Sequence, residues 1–144
     1  MAIDLKDIVT ISGQSGLFKS ISATQQGLLV ESLDENKKRS VKQFQRYDIS
    51  TLEDIGVYTT GEEETIPLAT ILWRLYAEFG GLMEPALCDT TEKRQALMQR
   101  IVPDYDPERV YESSIKKVFQ WYNTLAQYAP ALFKAAQDTP EKST

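Results

Sequence analysis

Five cations within one short segment are the side chains best suited to bind another molecule. The ten residues from 37 to 46 hold all five and contain no acid. This basic segment, with its aromatic neighbours, consists of Lys37, Lys38, Arg39, Lys42, Phe44, Arg46 and Tyr47. Cations that hold phosphates and rings that stack on bases are what binding of single-stranded nucleic acid, or of another anion, requires. The alternative is a solvated edge strand, in which lysine discourages pairing with another chain and one of the rings packs into the core.

Histidine is absent from the sequence, and Cys88 is its single cysteine. Histidine is the commonest general base at neutral pH, so triads and dyads that depend on it are excluded. The usual zinc sites need several nitrogen or sulfur ligands, which one cysteine does not supply. We therefore predict no catalytic residue, no metal site and no cofactor, and we expect that the protein is not an enzyme. Cys88 has no histidine to activate it, which favours a buried or incidental thiol.

Two other motifs favour structural roles over chemical ones. The loop 12–16 contains two glycines and could cradle a phosphate, but it lacks the Gly-Lys-Ser/Thr ending of a P-loop and leads into a strand. We interpret it as a tight turn. Asp104, Asp106 and Glu108 alternate as at the start of a calcium loop. The glycine and the bidentate acid that such a loop needs further along are missing, so these acids are interpreted as helix caps.

The overall charge limits the kinds of partner. The net charge is -5 and the isoelectric point is about 4.8, which argues against field-driven binding to nucleic acid or anionic lipid but leaves a local site open. No stretch approaches the roughly 20 apolar residues that span a bilayer. The first residues lack the apolar core of a signal peptide. One cysteine allows no intrachain disulfide, and we expect a cytoplasmic protein without a membrane partner.

The first 60 residues follow the period of strands. Alternating apolar residues, broken by turn signals such as Gln25-Gln26-Gly27, indicate a meander. Ser50 and Glu53 have capping-box spacing for one helical turn before a closing strand. The predicted strands are 8–11, 17–24, 28–33, 38–44 and 55–59. About five antiparallel strands with this layout predict an SH3-like small β-barrel, and an open antiparallel sheet packed on helices is the alternative.

Beyond the polar break at Gly61 the period becomes helical. Leu68, Ile71, Leu72 and Leu75 lie on one face of a helix that Gly80 ends. Further helices are predicted from Asp89 to about Val102 and from Ser113 to Pro130, with a short piece at 131–136. The fold class is therefore α+β. The predicted domains are a β-barrel at 1–61 and a bundle of three to four helices at 62–144, with an unstructured tail at 138–144.

Trp121 and Tyr128 are candidate residues of a protein interface. The apolar stripe of the third predicted helix is wider than a single core-facing side needs, and these two rings fall beside its main face. Aromatic side chains that are left over in this way are enriched where proteins meet. The partner would be another protein or a second copy of the chain.

Several segments carry a resemblance to a known family. They span most of the chain, up to about Leu125, and are residues 4–19, 30–34, 52–55, 102–106, 109–111, 115–117 and 121–123. In these segments the chain resembles a family of small uncharacterised bacterial proteins whose domain has no known function. The resemblance implies a bacterial cytoplasmic protein. It implies no activity, cofactor or site residue.

Three functions are compatible with these observations. The preferred hypothesis is a non-enzymatic interaction protein or adaptor. The second is a nucleic-acid-binding accessory protein that uses the basic segment. The third is a small-molecule sensor, or an enzyme that works with carboxylates, whose site lies between the two halves of the chain, where ligand clefts often form.

Overall fold

The computed structural model describes residues 4–14 and 16–138. Five strands form one antiparallel sheet in the order β4-β3-β2-β1-β5. They are β1 (Ile8–Ile11), β2 (Phe18–Ala23), β3 (Gly27–Ser32), β4 (Arg39–Gln43) and β5 (Ile49–Thr51). The first four strands form a meander because short polar turns join them, and β5 then returns to the far side of β1. The predicted antiparallel sheet is therefore confirmed.

The sheet is open, so the closed SH3-like barrel is not confirmed. β4 and β5 are its two edges, and no pairing joins them within the described residues. The prediction took 55–59 as the strand that closes the sheet. Instead β6 (Gly56–Tyr58) pairs with β7 (Thr65–Pro67) in a separate hairpin. The strand beside β1 is β5, which leaves Ser50 inside a strand, and the 3-10 turn Leu52–Asp54 that follows has no side-chain cap.

Four helices confirm the helical half of the α+β prediction. They are α1 (Leu68–Phe79), α2 (Thr91–Ile101), α3 (Glu112–Tyr128) and α4 (Pro130–Asp138). Gly80 ends α1 in the left-handed region, with φ of 70°, as the sequence predicts. Thr90, and not Asp89, caps α2, because its hydroxyl accepts a hydrogen bond from the backbone N–H of Lys93. Within the described part, no helix is long and apolar enough to cross a membrane.

One large cluster of buried side chains, the main core, joins the sheet to the helices. The sheet half contributes four side chains that are each at most 3% exposed, Leu5, Ile8, Leu17 and Leu52. The helices contribute most of the rest, including the fully buried Tyr122 and Phe133. The predicted domain boundary at Gly61 lies in the turn between β6 and β7. That boundary stays a prediction. Of the predicted tail 138–144, Asp138 is the last residue of α4, and residues 139–144 lie outside the described residues.

A second group of buried side chains, the small cluster, lies on the opposite face of the sheet. It consists of Val9, Ile11, Phe18 and Val30, with Leu28, Tyr47 and Ile49 packed against it. Neighbouring strand residues point to opposite faces, so Ile8 faces the main core while Val9 faces the small cluster. The helices therefore cover one face of the sheet. On the other face, Tyr47 packs against the small cluster.

Candidate functional site

The basic segment lies along β4, at an edge of the sheet. In the antiparallel ladder with β3, the carbonyl oxygen of Lys38 accepts from Ser32 N–H, and Phe44 N–H donates to the carbonyl of Gln26. Residues of an antiparallel strand alternate between bonding to one neighbour and to the other side. The backbone groups of Arg39, Val41 and Gln43 therefore point to the open edge.

Most of these edge groups have no backbone partner in the part of the chain that the structure describes. The carbonyl of Gln43 is the exception, because it accepts from the N–H groups of Arg46 and Tyr47 in the following turn. Arg39 and Val41 together leave two donors and two acceptors along the edge. A short extended segment from another molecule has the same alternation of donors and acceptors, so it could pair with these groups by strand addition.

Two exposed apolar side chains, Val41 and Phe44, lie at this edge. Val41 is 57% exposed and lies directly opposite Leu29 of β3. Phe44, just after β4, is 48% exposed, whereas Tyr47 packs on the small cluster. The two rings of the basic segment therefore have different surroundings. One is available to a partner, and the other supports the fold.

The cations of the segment also divide into two groups. Arg39 Nε lies 3.4 Å from a carboxylate oxygen of Glu31, and Lys42 Nζ lies 5.3 Å from the centre of the Tyr47 ring. Lys38 and Arg46 are exposed at opposite ends of β4. Neither makes an ion pair with any acid in the described ranges. The ends of the strand therefore present free positive charge, while its middle is partly neutralised.

A glycine holds β4 close to its neighbour. A Cβ atom at Gly27 would lie 2.7 Å from the backbone oxygen of Lys42, a distance that side chains essentially never show. The obstacle is backbone and does not rotate away. Glycine at this position therefore fixes the approach of β3 and β4, and with it the position of the edge.

A cleft of about 370 Å³ opens beside the same hairpin, between the sheet and the junction of α3 with α4. Its walls combine apolar and charged side chains from both halves of the protein. The lining residues are Asp4, Asp7, Ile8, Lys19, Glu31, Ser32, Leu33, Asp34, Lys37, Tyr128, Ala129, Ala131 and Leu132. The cleft lies between the two halves of the chain, where the sequence hypothesis of a small-molecule sensor would place its site.

The turn between β3 and β4 forms one wall of this cleft. Asp34 accepts hydrogen bonds from the hydroxyl of Ser32 and from the N–H groups of Asn36 and Lys37, at 2.9 to 3.0 Å. The Ser32 hydrogen bond is the main reason that the pKa of Asp34 lies below its ordinary value, and the two backbone bonds add to it. Lys37 has a φ of 47°, in the left-handed region that glycine and asparagine favour.

The two candidate interface rings lie in different places. Trp121 and Tyr128 are two turns apart on α3 and therefore on one face of the helix. Trp121 is half-buried and packs on the main core, whereas Tyr128 lines the cleft. The cleft brings Tyr128 together with Lys37 of the basic segment, whereas Trp121 is not among its lining residues. Large exposed apolar side chains of the helical half occur elsewhere, at Leu82, Leu87 and Tyr111.

The other motifs lie apart from both the edge and the cleft. Asp106 accepts from the N–H of Glu108 and from the guanidinium of Arg109, so the pKa of Asp106 is lowered, chiefly by the Glu108 bond. Gly13 has a φ of 77°, as a turn before β2 requires, and Ser15 lies outside the described residues. Partial burial raises the pKa of the Cys88 thiol, against the opposing charge of Arg94.

Sequence reasoning named only Lys37 and Tyr128 among the lining residues of the cleft, and it missed others such as Lys19 and Leu132. They are 113 positions apart, and no local pattern connects them. The sequence shows the polar turn, but not that Lys37, instead of the preceding Asn36, takes the left-handed conformation.

Comparison with known proteins places the chain among relatives of similar size. A solution NMR structure of a protein from Bacteroides vulgatus, a structural genomics target, has a TM-score of 0.68 and 32% sequence identity, and the match covers 88% of this chain and 89% of that one. Among curated proteins none matches. The α+β fold with an open sheet is thus shared with a solved structure.

Two sequence families account for most of the chain. Residues 5–52 match a domain of unknown function, DUF5606, and residues 55–125 match a second domain of unknown function, DUF6852. The chain belongs to the same family as the protein from Bacteroides vulgatus, and it carries both of these domains of unknown function. The resemblance to a family of unknown function is therefore confirmed, and its extent to about residue 125 agrees with the second match.

Proposed function

We propose that the protein is a non-enzymatic interaction module that binds a short, extended, acidic segment of another protein along the edge of β4. The observation that carries the proposal is the free row of backbone groups at Arg39 and Val41. Strand addition gives affinity through such main-chain groups and specificity through alternate side chains. The exposed Val41, opposite Leu29, would extend its apolar pairing to the incoming strand.

Charge decides between the possible occupants of this edge. Lys38 and Arg46 flank β4, and an acidic segment would complement both. A second copy of the chain would place its own basic segment against this one if the two β4 edges paired, and like charges directly opposite are destabilising. The partner is therefore a different protein. Lysine at the edge therefore discourages self-pairing, and the edge remains accessible to an acidic strand.

Nucleic acid is the less favoured occupant of the same edge. Stacking on single strands needs several accessible rings and free cations. Of the two rings, Tyr47 packs on the small cluster, and of the cations, Arg39 and Lys42 are engaged by Glu31 and by the Tyr47 ring. The net charge of -5 opposes attraction of a long polyanion. Peptide binding uses backbone groups and is less affected by these restrictions.

A bacterial, cytoplasmic setting is part of the proposal. It is supported by the likeness to a protein from Bacteroides vulgatus and by a sequence whose single cysteine forms no intrachain disulfide. A cytosolic interaction module needs no cofactor, and none enters the proposal.

Fluorescence anisotropy with two labelled probes tests the proposed function. One probe is a peptide that repeats glutamate and valine, and the other is a poly-dT oligonucleotide. The expected result is salt-dependent binding of the peptide in preference to the oligonucleotide. A control peptide, in which proline replaces the central valine, should bind more weakly because proline removes a backbone donor.

A pair of charge-matched variants locates the binding. Lys38→Glu combined with Arg46→Glu should weaken peptide binding about tenfold, since each exposed ion pair contributes up to about 1 kcal/mol. Lys116→Glu combined with Lys117→Glu makes the same charge change on the exposed side of α3 and should leave binding within about twofold, because Lys116 lines a different recess, beside Cys88 and Arg94, whose described lining includes no residue of β4. Equal losses in both variants would refute the edge, and preferential binding of poly-dT would replace the proposal by the nucleic-acid alternative.

A further inference from the structure

We propose that the cleft between the sheet and α3–α4 binds a small organic anion with an apolar body, such as an aliphatic or aromatic carboxylate. This inference is independent of the docking edge on β4. The cleft has a volume of about 370 Å³, which falls within the range of roughly 300 to 1,000 Å³ that ligand sites occupy. It lies between the two halves of the chain, where such sites are common.

The helical wall of the cleft supplies apolar surface. Tyr128, Ala129 and Leu132 come from the end of α3 and the start of α4, and Ile8 and Leu33 face them from the sheet. Partly buried apolar side chains that line a recess lose contact with water when an apolar group enters it. The body of the ligand would therefore lie against the helices.

The opposite wall supplies two cations, Lys19 and Lys37. Neither makes an ion pair with a carboxylate among residues 4–14 and 16–138. Lysine is a compact charge with three donors, and a carboxylate that enters the cleft can accept from both side chains. The charged end of the ligand would therefore bind at this wall.

The acids of the cleft are largely engaged by the protein itself. Glu31 is bound by Arg39, and Asp34 accepts three hydrogen bonds within its own turn. Asp4 accepts from the N–H of Lys6 at 3.0 Å. Asp7 is the one lining acid whose carboxylate has no partner in the described chain. Among the lining groups without a partner in the described residues there are therefore two cations, Lys19 and Lys37, and one carboxylate, Asp7, and this balance favours an anion over an amine.

The backbone of Lys37 is independent support for a function at this wall. A side chain in the left-handed region costs about 1–2 kcal/mol for a residue other than glycine. Lys37 takes this conformation, with φ of 47°, and Asn36 directly precedes it. Strain of this kind persists where the side chain is used, and it is concentrated at ligand sites. The lysine is placed over the cleft at the expense of local stability.

Binding of 1-anilinonaphthalene-8-sulfonate tests the proposal, because this dye is itself an organic anion with an apolar body and fluoresces on entering an apolar site. The folded protein at neutral pH should bind the dye with one site per chain, and decanoate should displace it. Decylamine has the same apolar body with the opposite charge and should displace it at least about tenfold less well, given the two free cations. Equal displacement by decylamine would overturn the proposal.

Charge reversal in the cleft provides the second measurement. Lys19→Glu combined with Lys37→Glu should weaken dye binding about tenfold. Lys116→Glu combined with Lys117→Glu, which lie outside the lining, makes the same charge change and is the matched control; it should bind the dye normally. Lys19→Ala combined with Lys37→Ala serves if the reversed variant does not fold, as judged by its amide NMR spectrum. Unchanged dye binding in the folded double variant would refute the site.

The two proposals are separated by the same set of variants. Lys38→Glu should weaken peptide binding at β4 and leave dye binding intact, and Lys19→Glu should do the reverse. Amide NMR shifts caused by decanoate should cluster at Lys19, Leu33 and Leu132. Shifts confined to other parts of the chain would contradict the assignment of the cleft.

Discussion

The two faces of the β-sheet differ in how much of the protein covers them. The main core on one face unites the sheet with all four helices, and its aromatic side chains stack, as in the Tyr76–Phe133 pair with ring centres 4.7 Å apart and an angle of 8°. The small cluster on the other face has four buried residues, and within the described chain none of its members comes from a helix. Stability therefore comes mainly from the helical side, and β4 is held by one neighbouring strand.

This difference explains how an edge can stay open in a stable protein. An unpaired edge strand costs little if the fold does not depend on its outer side, and charge at its ends limits self-association. The same arrangement puts the possible binding surfaces at the margin of the sheet, because the interior is occupied by packing. Substitutions in the two regions should consequently differ in size.

The largest effect is expected for Phe133→Ala. Phe133 is fully buried and contacts the rings of Tyr76 and Tyr122. Its removal should lower the free energy of unfolding by about 3–5 kcal/mol. Val41→Ala, at the exposed edge, should change it by no more than about 0.5 kcal/mol. Urea denaturation measures both, and similar losses in the two variants would show that the edge is as important for stability as the main core.

A smaller loss of folding stability is expected at alkaline pH, where Tyr122 ionises. Burial raises the pKa of Tyr122 to about 12, against the opposing hydrogen bond to the Gly81 carbonyl, whereas the ordinary value is 10.0. Between these values the unfolded chain loses the phenolic proton and the folded chain keeps it. The stability that Tyr122 provides is therefore fully present below pH 10 and is lost as the pH rises to about 12.

Tyr122→Phe tests the source of this alkaline loss. The variant lacks the phenol, so its free energy of unfolding should fall less steeply over that pH interval than the free energy of the natural sequence. The comparison removes contributions from lysines and from other tyrosines, which both proteins share. The same slope in the two proteins would mean that Tyr122 ionises equally easily in the folded and unfolded chains.

Gly27→Ala tests how the edge is positioned. The added Cβ would meet the backbone of β4, so the variant should lose about 1–3 kcal/mol of unfolding free energy and shift the amide signals of β4. Gly81→Ala is the control, because a Cβ there has no neighbour within 4 Å and the backbone φ is not positive. A loss in the control as large as that of Gly27→Ala would point to a general effect of replacing glycine.

The smallest effect is expected for Lys37→Gly. Relief of the left-handed backbone, partly offset by the entropy that glycine loses on folding, should raise the free energy of unfolding by up to about 1 kcal/mol. Lys38→Gly, whose φ is not positive, should lower it by about 0.5–1 kcal/mol. A gain in stability for Lys37→Gly with a loss for Lys38→Gly would show that the left-handed backbone of Lys37 costs stability. A loss at both positions would contradict strain at Lys37.

Local patterns predicted most of the elements and little of how they meet. Leu68, Ile71, Leu72 and Leu75 are all buried, as the helical period predicts, because an amphipathic helix has only one face to bury. The segment 55–59 was correctly read as a strand but assigned the wrong neighbour. Pairing partners are set by the tertiary structure, and the short β7 carries no clear strand pattern of its own.

The two candidate sites also differ in how far the sequence predicts them. The basic segment could be found from sequence because its charges are contiguous, and even its placement on an edge strand was one of the alternatives considered. The division of its cations between paired and free could not be predicted, since Glu31 is brought to Arg39 by strand register. The cleft depends on residues from both ends of the chain and required the fold.

Amide hydrogen exchange along β4 tests the central claim most directly. In the free protein, the N–H groups of Arg39 and Val41 should exchange rapidly because they face the open edge, and the glutamate–valine peptide should protect both. Ile49 and Thr51 lie on the opposite edge strand, β5, and their exchange should not change. Protection of Arg39 and Val41 alone is the predicted result. Slow exchange of these two amides in the free protein, or equal protection of β5, would contradict the proposal that β4 is the docking edge.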